Sequence, residues 1–285
     1  MADIRAIRRR IKGVQNTAKI TRAMEMIAAS KMRRAQERGL AGRPFSERMQ
    51  QVMADLAALP EISQAQHPLL RRKPVNRIAI VHITPDRGLC GGLNTSLNRL
   101  TASFVLEQTV PVTLIAIGRK GCDFMRRHNC DVVAEFDQLG YRPTLIDTLP
   151  ISRVIIDDYS NGVFDLVYLV YAQFVSTMVQ KSVRRQLLPV EPADIPRVRN
   201  VDYIYEPGPG VVLGGLLPRF VEMQVYHAIL ESIASEQSAR MVAMRNATDN
   251  ANELIDELTL LYNEARQEAI TKEILDIAGG AAALA

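Results

Sequence analysis

The sequence predicts an α/β chain: a long antiparallel coiled coil of its N- and C-terminal helices plus a Rossmann-like α/β middle domain. Three observations predict it. Apolar residues fall at heptad spacing at both ends, the two ends carry opposite net charge, and strand and helix patterns alternate between them. The expected boundaries are 1–58 for the N-terminal helix, 75–205 for the middle domain and 211–285 for the C-terminal helix.

The N-terminal helix is read from Ile4, Ile7, Ile11, Val14 and Ala18, whose steps of 3 and 4 make a seam. Good helix formers fill much of the remainder, and no proline interrupts before Pro44. Beyond Ala18 the repeat blurs into a looser stripe at Met24, Ile27, Met32 and Ala35, which predicts a changed partner or a stutter. Gly39, Gly42 and Pro44 predict a bend or a break, and Pro60 with Pro68 the end of the element.

The middle segment alternates. Strands are expected at Arg77–Thr84, Val110–Ile117, Asp131–Phe136 and Leu166–Phe174, with helices at Asn94–Gln108, Gly121–His128 and Thr144–Tyr159. Such alternation implies a mainly parallel sheet with helices on both faces. Lys181–Pro189 and Val201–Tyr205 are candidates for antiparallel edges.

The C-terminal helix is expected to start at Pro218, after which there is no further proline and no glycine before Gly279. Its register reads Tyr226, Leu230, Ile233, Gln237, Arg240, Met244, Ala247, Ala251, Leu254, Leu258, Leu261 and Ala265. Ala247 and Ala251 would let a partner helix approach closely. Polar Gln237 and Arg240 either fix the register or face something other than the partner helix. About 60 helical residues span about 90 Å, whereas a compact globule of this chain length is about 50 Å across. Such a helix must project, and a projecting seam needs a partner.

Charge supplies that partner. Residues 1–48 carry 13 basic and 4 acidic side chains, and 219–285 carry 5 basic and 11 acidic. The two ends are therefore complementary although the whole chain is only +4. Composition is that of a folded protein, with 47% hydrophobic and 23% charged residues. Apolar runs are too short and interrupted to cross a bilayer. Charged residues at Asp3 and Arg5, with no apolar run after them, predict a cytosolic or matrix-type protein without a secretory leader. The three cysteines, Cys90, Cys122 and Cys130, are too few for a disulfide framework. Cys122, His128 and Cys130 are poorly spaced for zinc, so neither a metal nor a cofactor is expected.

The loop DRGLCGG at 86–92 lies between an expected strand and an expected helix, where glycine-rich turns can hold phosphate. Its spacing matches neither Gly-x-Gly-x-x-Gly nor the lysine-bearing P-loop. No acidic ribose-binding residue is placed persuasively downstream. A tight turn is the better reading.

Three stretches carry a resemblance: IKGVQNTAKITRAMEMIAASKMRRAQ at 11–36, TPDRGLCGGLN at 84–94, and the segment 235–284 that begins SEQSARMVAMRNATDNANEL. In this order and separation they closely resemble the F-type ATP synthase gamma-subunit family. The likeness covers essentially the whole chain, including YIYEPGPG at 203–210. It implies a central rotor shaft turning inside a ring of three alpha and three beta subunits. Such a shaft transmits rotation of the c-ring to conformational change at catalytic sites and has no catalysis of its own. Proton or sodium translocation would be the coupled process. The implied partners are the alpha and beta subunits, the epsilon subunit and the c-ring, with no nucleic acid. The location implied is peripheral, on the cytoplasmic face of a bacterial inner membrane. The lack of a transit peptide and of a redox cysteine insertion fits a bacterial member.

The resemblance also implies contact residues. Met24, Arg240, Gln267, Thr271 and Glu273 match positions that meet the alpha/beta ring, with Met24 near an acidic lever loop of beta. Tyr203, Tyr205 and Glu206 match the foot that docks on epsilon and the c-ring. The apolar tail 274–285 would turn in an apolar sleeve of the ring. The loop 86–92 would lie near the ring's entrance as part of the shaft domain. Each has a plainer reading: Met24 as seam packing, the polar residues as a solvated face, Arg8–Arg10 as partners of the acidic helix, the tail as a frayed terminus. Two other classes stay open. A nucleotide-binding enzyme would rest on the glycine loop, and a nucleic-acid-binding coiled coil on the basic N-terminus. Neither accounts for both long helices.

Overall fold

The computed structural model describes residues 4–57, 67–190 and 206–284. The chain divides into two compact units, Met1–Ala28 with Met241–Ala285, and Ala29–Arg240. Helix α1 covers Ile4–Ala57 and helix α5 covers Pro209–Leu284. Among the described residues no helix is long and apolar enough to cross a membrane.

In the first unit α1 and α5 pair. Thr21 lies opposite Thr248, with hydroxyl oxygens 2.7 Å apart, and Glu25 meets Arg245 at 2.8 Å. As numbering rises on one helix it falls on the other, so the pair is antiparallel. The α1 seam runs Ile4, Ile7, Ile11, Val14, Ala18, Thr21 and Ala28, all buried or half-buried. Beyond Ala28 α1 belongs to the second unit and buries Ala35 in that unit's core, as the alternative of a changed partner has it. Up to Ala28 the strict repeat persists without a stutter, and Ile27, expected in the stripe, is 55% exposed. The cause is composition: a threonine and an alanine hold seam positions that an apolar count passes over.

On α5 the seam residues are Met244, Thr248, Ala251, Ile255, Leu258, Tyr262 and Ala265. The expected register is right at every seventh position and one residue off between them. Leu254 and Leu261 face solvent, and Ile255 and Tyr262 turn inward. Each pair offers two adjacent apolar residues, so period alone does not decide which one packs.

The second unit is built on a five-stranded sheet ordered β3-β2-β1-β4-β5. Strands β1 (Ile78–Ile83), β2 (Val112–Ile117), β3 (Asp131–Phe136) and β4 (Leu166–Phe174) are parallel, and β5 (Gln180–Leu188) pairs antiparallel with β4. The connecting helices are α2 (Leu93–Glu107), α3 (Arg119–Arg127) and α4 (Leu145–Ser160). Thr144 and Asp147 form a capping box that starts α4, with the Thr144 N–H donating to Asp147 Oδ2 at 2.7 Å. The central strands are buried on both faces, which is why they read as unbroken apolar runs. Ile78 and Ile80 pack with Leu97 and Phe104 of α2 and Met125 of α3. Ala79, Val81 and Ile83 pack with Ile151 and Ile155 of α4 and Val221, Val225 and Ile229 of α5. Charged Lys181, Arg184 and Arg185 on edge strand β5 discourage further pairing.

Two sequence expectations are corrected, the break offered within α1 and the start of α5 at Pro218. Helix α1 continues through Gly39, Gly42 and Pro44. Pro44 is exposed, and the continuing helix buries Met49 in the core. Helix α5 begins at Pro209, and Pro218 lies inside it. Leu213 and Leu217, both buried and both ahead of the expected start, hold that first stretch helical. In both places packing outweighs the hydrogen bond a proline removes. The edge expected at Val201–Tyr205 lies outside the described residues.

Candidate functional site

The second unit concentrates polar contacts where α5 meets the loop 86–92 and the β4–β5 turn. Small side chains make this possible. Ser235 donates to Ala172 O at 2.9 Å and Ser238 donates to Thr177 O at 2.7 Å, so α5 sits directly on the end of β4. Gln180 adds a bond to the Ser238 hydroxyl at 3.3 Å. Gln237, expected on the seam, is buried and donates to Glu236 Oε1 at 3.2 Å.

Arg240 is engaged inside the chain. Its Nη1 reaches Glu236 Oε1 at 2.6 Å and its Nη2 donates to Gly88 O at 3.1 Å. The two side chains keep only 13% and 17% of their surface exposed. Burial pushes the Glu236 carboxyl above its ordinary range, and the Arg240 charge beside it pulls the other way. In the same loop Leu89 takes a left-handed φ of 63° and is 63% exposed.

A small cleft, with about 40 Å³ of space, opens at the C-terminal ends of β1, β2 and β3, in the region where open α/β sheets bind ligands. Its wall includes Asp86, Asp137 and Glu236. Arg119 donates to Asp137 at 2.9 Å and holds that carboxyl below its usual range. Asp86 accepts from the backbone N–H groups of Arg119 and Gln138, each at 3.2 Å. The N–H groups at the start of α3 are occupied too: Lys120 donates to Pro85 O and Gly121 to Thr84 Oγ1. Gly118 adopts φ +89°, and a Cβ there would lie 1.9 Å from Thr84 O. These bonds tie the start of the loop to the start of α3, and at the loop's own helix, α2, Leu93 N turns back onto Cys90 O. Three carboxylates around the opening repel a phosphate. This geometry supports the tight-turn reading of 86–92. Cys90 and Cys122 are buried and Cys130 is half-exposed.

In the first unit the remaining sequence-chosen residues lie on surfaces. Met24 is half-buried beside exposed Ile20, Met26 and Ile27. Arg8, Arg9 and Arg10 are exposed. Gln267, Thr271 and Glu273 are all exposed, with Gln267 and Thr271 one helical turn apart on one face. Among them Ile270, Ile274, Leu275 and Ile277 also face outward. From Ile270 to Gly279 every residue of α5 is exposed. In the second unit Glu206 is exposed; Tyr203 and Tyr205 lie outside the described residues.

The structure therefore groups Gln267, Thr271 and Glu273 at one end of α5, and sets Arg240 apart in an internal network. Sequence reasoning missed Thr21, Thr248, Ser235 and Ser238. Their signal was present: small hydroxyl residues at the spacing of buried positions on α1 and α5.

Comparison with known proteins agrees with this architecture. The family model described as ATP synthase matches residues 3–284. An ATP synthase gamma chain of Dehalococcoides mccartyi is 66% identical over 285 residues, covering 100% of both chains. One from Herpetosiphon aurantiacus is 52% identical, covering 100% of this chain and 99% of the relative. Among solved structures, a chain of the Tetrahymena thermophila mitochondrial ATP synthase central stalk and c-ring matches with a TM-score of 0.61 and 26% identity. That match covers 80% of this chain and 99% of the other. A chain of the Euglena gracilis mitochondrial ATP synthase shares the fold, with a TM-score of 0.72 at 20% identity over 99% of this chain and 94% of that one. Full-length identity, the paired terminal helices and the sheet order together lead to one conclusion: the chain belongs to the gamma-chain family of F-type ATP synthases, the central-stalk rotor subunits.

Proposed function

We propose that this chain carries rotation from a c-ring to an alpha/beta ring, changing the conformation of catalytic subunits without performing chemistry itself. The observation that supports the reading most directly is the end of α5. Ile270, Ile274, Leu275 and Ile277 are apolar, helical and exposed together. A contiguous apolar surface of that kind belongs against a partner. With few directional bonds such a surface can slip past its surroundings, as a bearing must. Polar Gln267, Thr271 and Glu273 beside it would supply orientation-dependent contacts to alpha and beta, together with Met24 and Arg240. Each orientation then favours a different conformation of the subunit it faces. Tyr203, Tyr205 and Glu206 would form the foot on epsilon and the c-ring. The chain would work at the cytoplasmic face of a bacterial inner membrane, as a peripheral subunit.

The test is assembly with the alpha and beta subunits, followed by ATPase measurement with Gln267→Leu and Thr271→Ala introduced together. These residues bury nothing in the chain itself, so assembly should survive while turnover falls several-fold. Turnover equal to that of the unmodified complex would remove these residues from the contact set. Failure of the unmodified chain to assemble with alpha and beta would remove the shaft role.

A further inference from the structure

We infer that Arg240 is a positioning residue whose guanidinium fastens the loop 86–92 to α5, holding Leu89 outward and Cys90 inward. The inference concerns bonds within the chain and does not depend on what the chain turns against.

The two ends of the loop are secured by other means. Asp86 accepts from Arg119 N and Gln138 N, which ties the start to the sheet. At the far end Leu93 N donates to Cys90 O, and Asn94 Nδ2 reaches Cys90 Sγ at 3.4 Å. The middle of the loop is reached from α5 by Arg240 Nη2, which donates to Gly88 O. The next residue, Leu89, holds a left-handed φ of 63°, a conformation disfavoured by any side chain with a Cβ. A loop residue in such a conformation persists when its surroundings over-determine it, and the bond to the adjacent carbonyl does so here.

The fork of the guanidinium is essential to this arrangement. One nitrogen meets the Glu236 carboxylate and the other meets the Gly88 carbonyl. Glu236, one turn before Arg240 on α5, aims the guanidinium across to the loop. A lysine carries a single nitrogen on a flexible stem and cannot hold both acceptors in one plane. Cys90, 1% exposed, lies under the loop so fastened and reports on it.

The experiment is thiol labelling of the full chain with a maleimide, read residue by residue from peptide masses. Cys90 measures the loop. Cys122, on the buried face of α3, measures opening of the whole unit. In Arg240→Gln the rate at Cys90 should rise about tenfold or more, as expected for loss of a charge-assisted hydrogen bond guarding a local opening. The rate at Cys122 should not change. Electrostatics work against this result: burial pushes the Cys90 thiol up, and Arg240 draws it back down. Removing the charge lowers the thiolate fraction, so faster labelling reads exposure. Arg240→Lys, which keeps the charge but not the fork, should label as fast as Arg240→Gln. Unchanged labelling of Cys90 in Arg240→Gln, or an equal rise at Cys122, overturns the inference. Protection of Cys90 at the unmodified level in Arg240→Lys overturns the requirement for the fork.

Discussion

His82 occupies β1 with no exposed surface, its Nε2 2.9 Å from Asn98 Oδ1 and its Nδ1 2.9 Å from Thr101 Oγ1. A neutral ring suits both partners, donating from Nε2 to the amide oxygen and accepting the threonine proton at Nδ1. A protonated ring would donate at both nitrogens and carry a charge into the core. Burial pushes its pKa down from 6.5 to about 4, and the bond to Asn98 offsets a little of that. The folded state thus binds the proton more weakly than the unfolded chain. The stabilising contribution is complete above about pH 6.5 and is lost as pH falls toward 4. A difference of that size corresponds to about 3 kcal/mol in all, of which about 2 kcal/mol is gone by pH 5. His82→Gln keeps one donor and one acceptor but does not titrate. The assay is urea unfolding followed by circular dichroism, since the chain has no tryptophan, at pH 7 and pH 5 for both proteins. The unmodified chain should lose about 2 kcal/mol more than His82→Gln between those pH values. Equal losses would show that His82 is protonated in the fold at no cost, which this geometry does not allow.

Other perturbations have signs that follow from packing. Thr21→Val or Thr248→Val alone removes the bond between the helices, while the remaining hydroxyl still donates to a carbonyl of its own helix, and should cost about 1 kcal/mol. The double variant should cost less than the sum of the two, and strict additivity in a thermal-melt cycle would deny the bond. Leu258→Asp places a carboxylate at a seam position with 4% exposure and should destabilise the helix pair by several kcal/mol. An unchanged melt would mean that Leu258 does not pack. Gly118→Ala sets a Cβ against the Thr84 carbonyl at a φ of +89°, and should cost more than about 2 kcal/mol. Normal stability would show that the β2–α3 turn can shift aside.

The middle domain was legible almost residue by residue, because strands buried on both faces leave apolar runs bounded by turn residues. Asp131–Phe136 and Leu166–Phe174 coincide with their expected spans, and Gln180–Leu188 is the antiparallel edge anticipated one residue later. The coiled-coil seam was half legible. Where Leu254 stands beside Ile255, or Leu261 beside Tyr262, both choices satisfy a 3-or-4 step, and the opposing helix decides. Prolines misled twice, since Pro44 and Pro218 lie in helices whose neighbours are buried strongly enough to absorb the lost bond. Of the candidate contacts, Gln267, Thr271 and Glu273 were found by resemblance and lie on exposed helix. Arg240 was chosen the same way, yet its bond to Gly88 spans 152 positions, a separation that periodicity along one helix does not register.

Ser235 and Ser238 join α5 to the sheet end through hydroxyls that hang on one side-chain torsion each. An arginine or lysine tether has several torsions and stretches under load by changing rotamer. A serine has almost no slack. Tangential force on the middle sheet would therefore reach α5 through a stiff joint, like the key that locks a wheel to its axle. Elastic energy would not accumulate at the joint; it would have to be stored where the helix is free to twist.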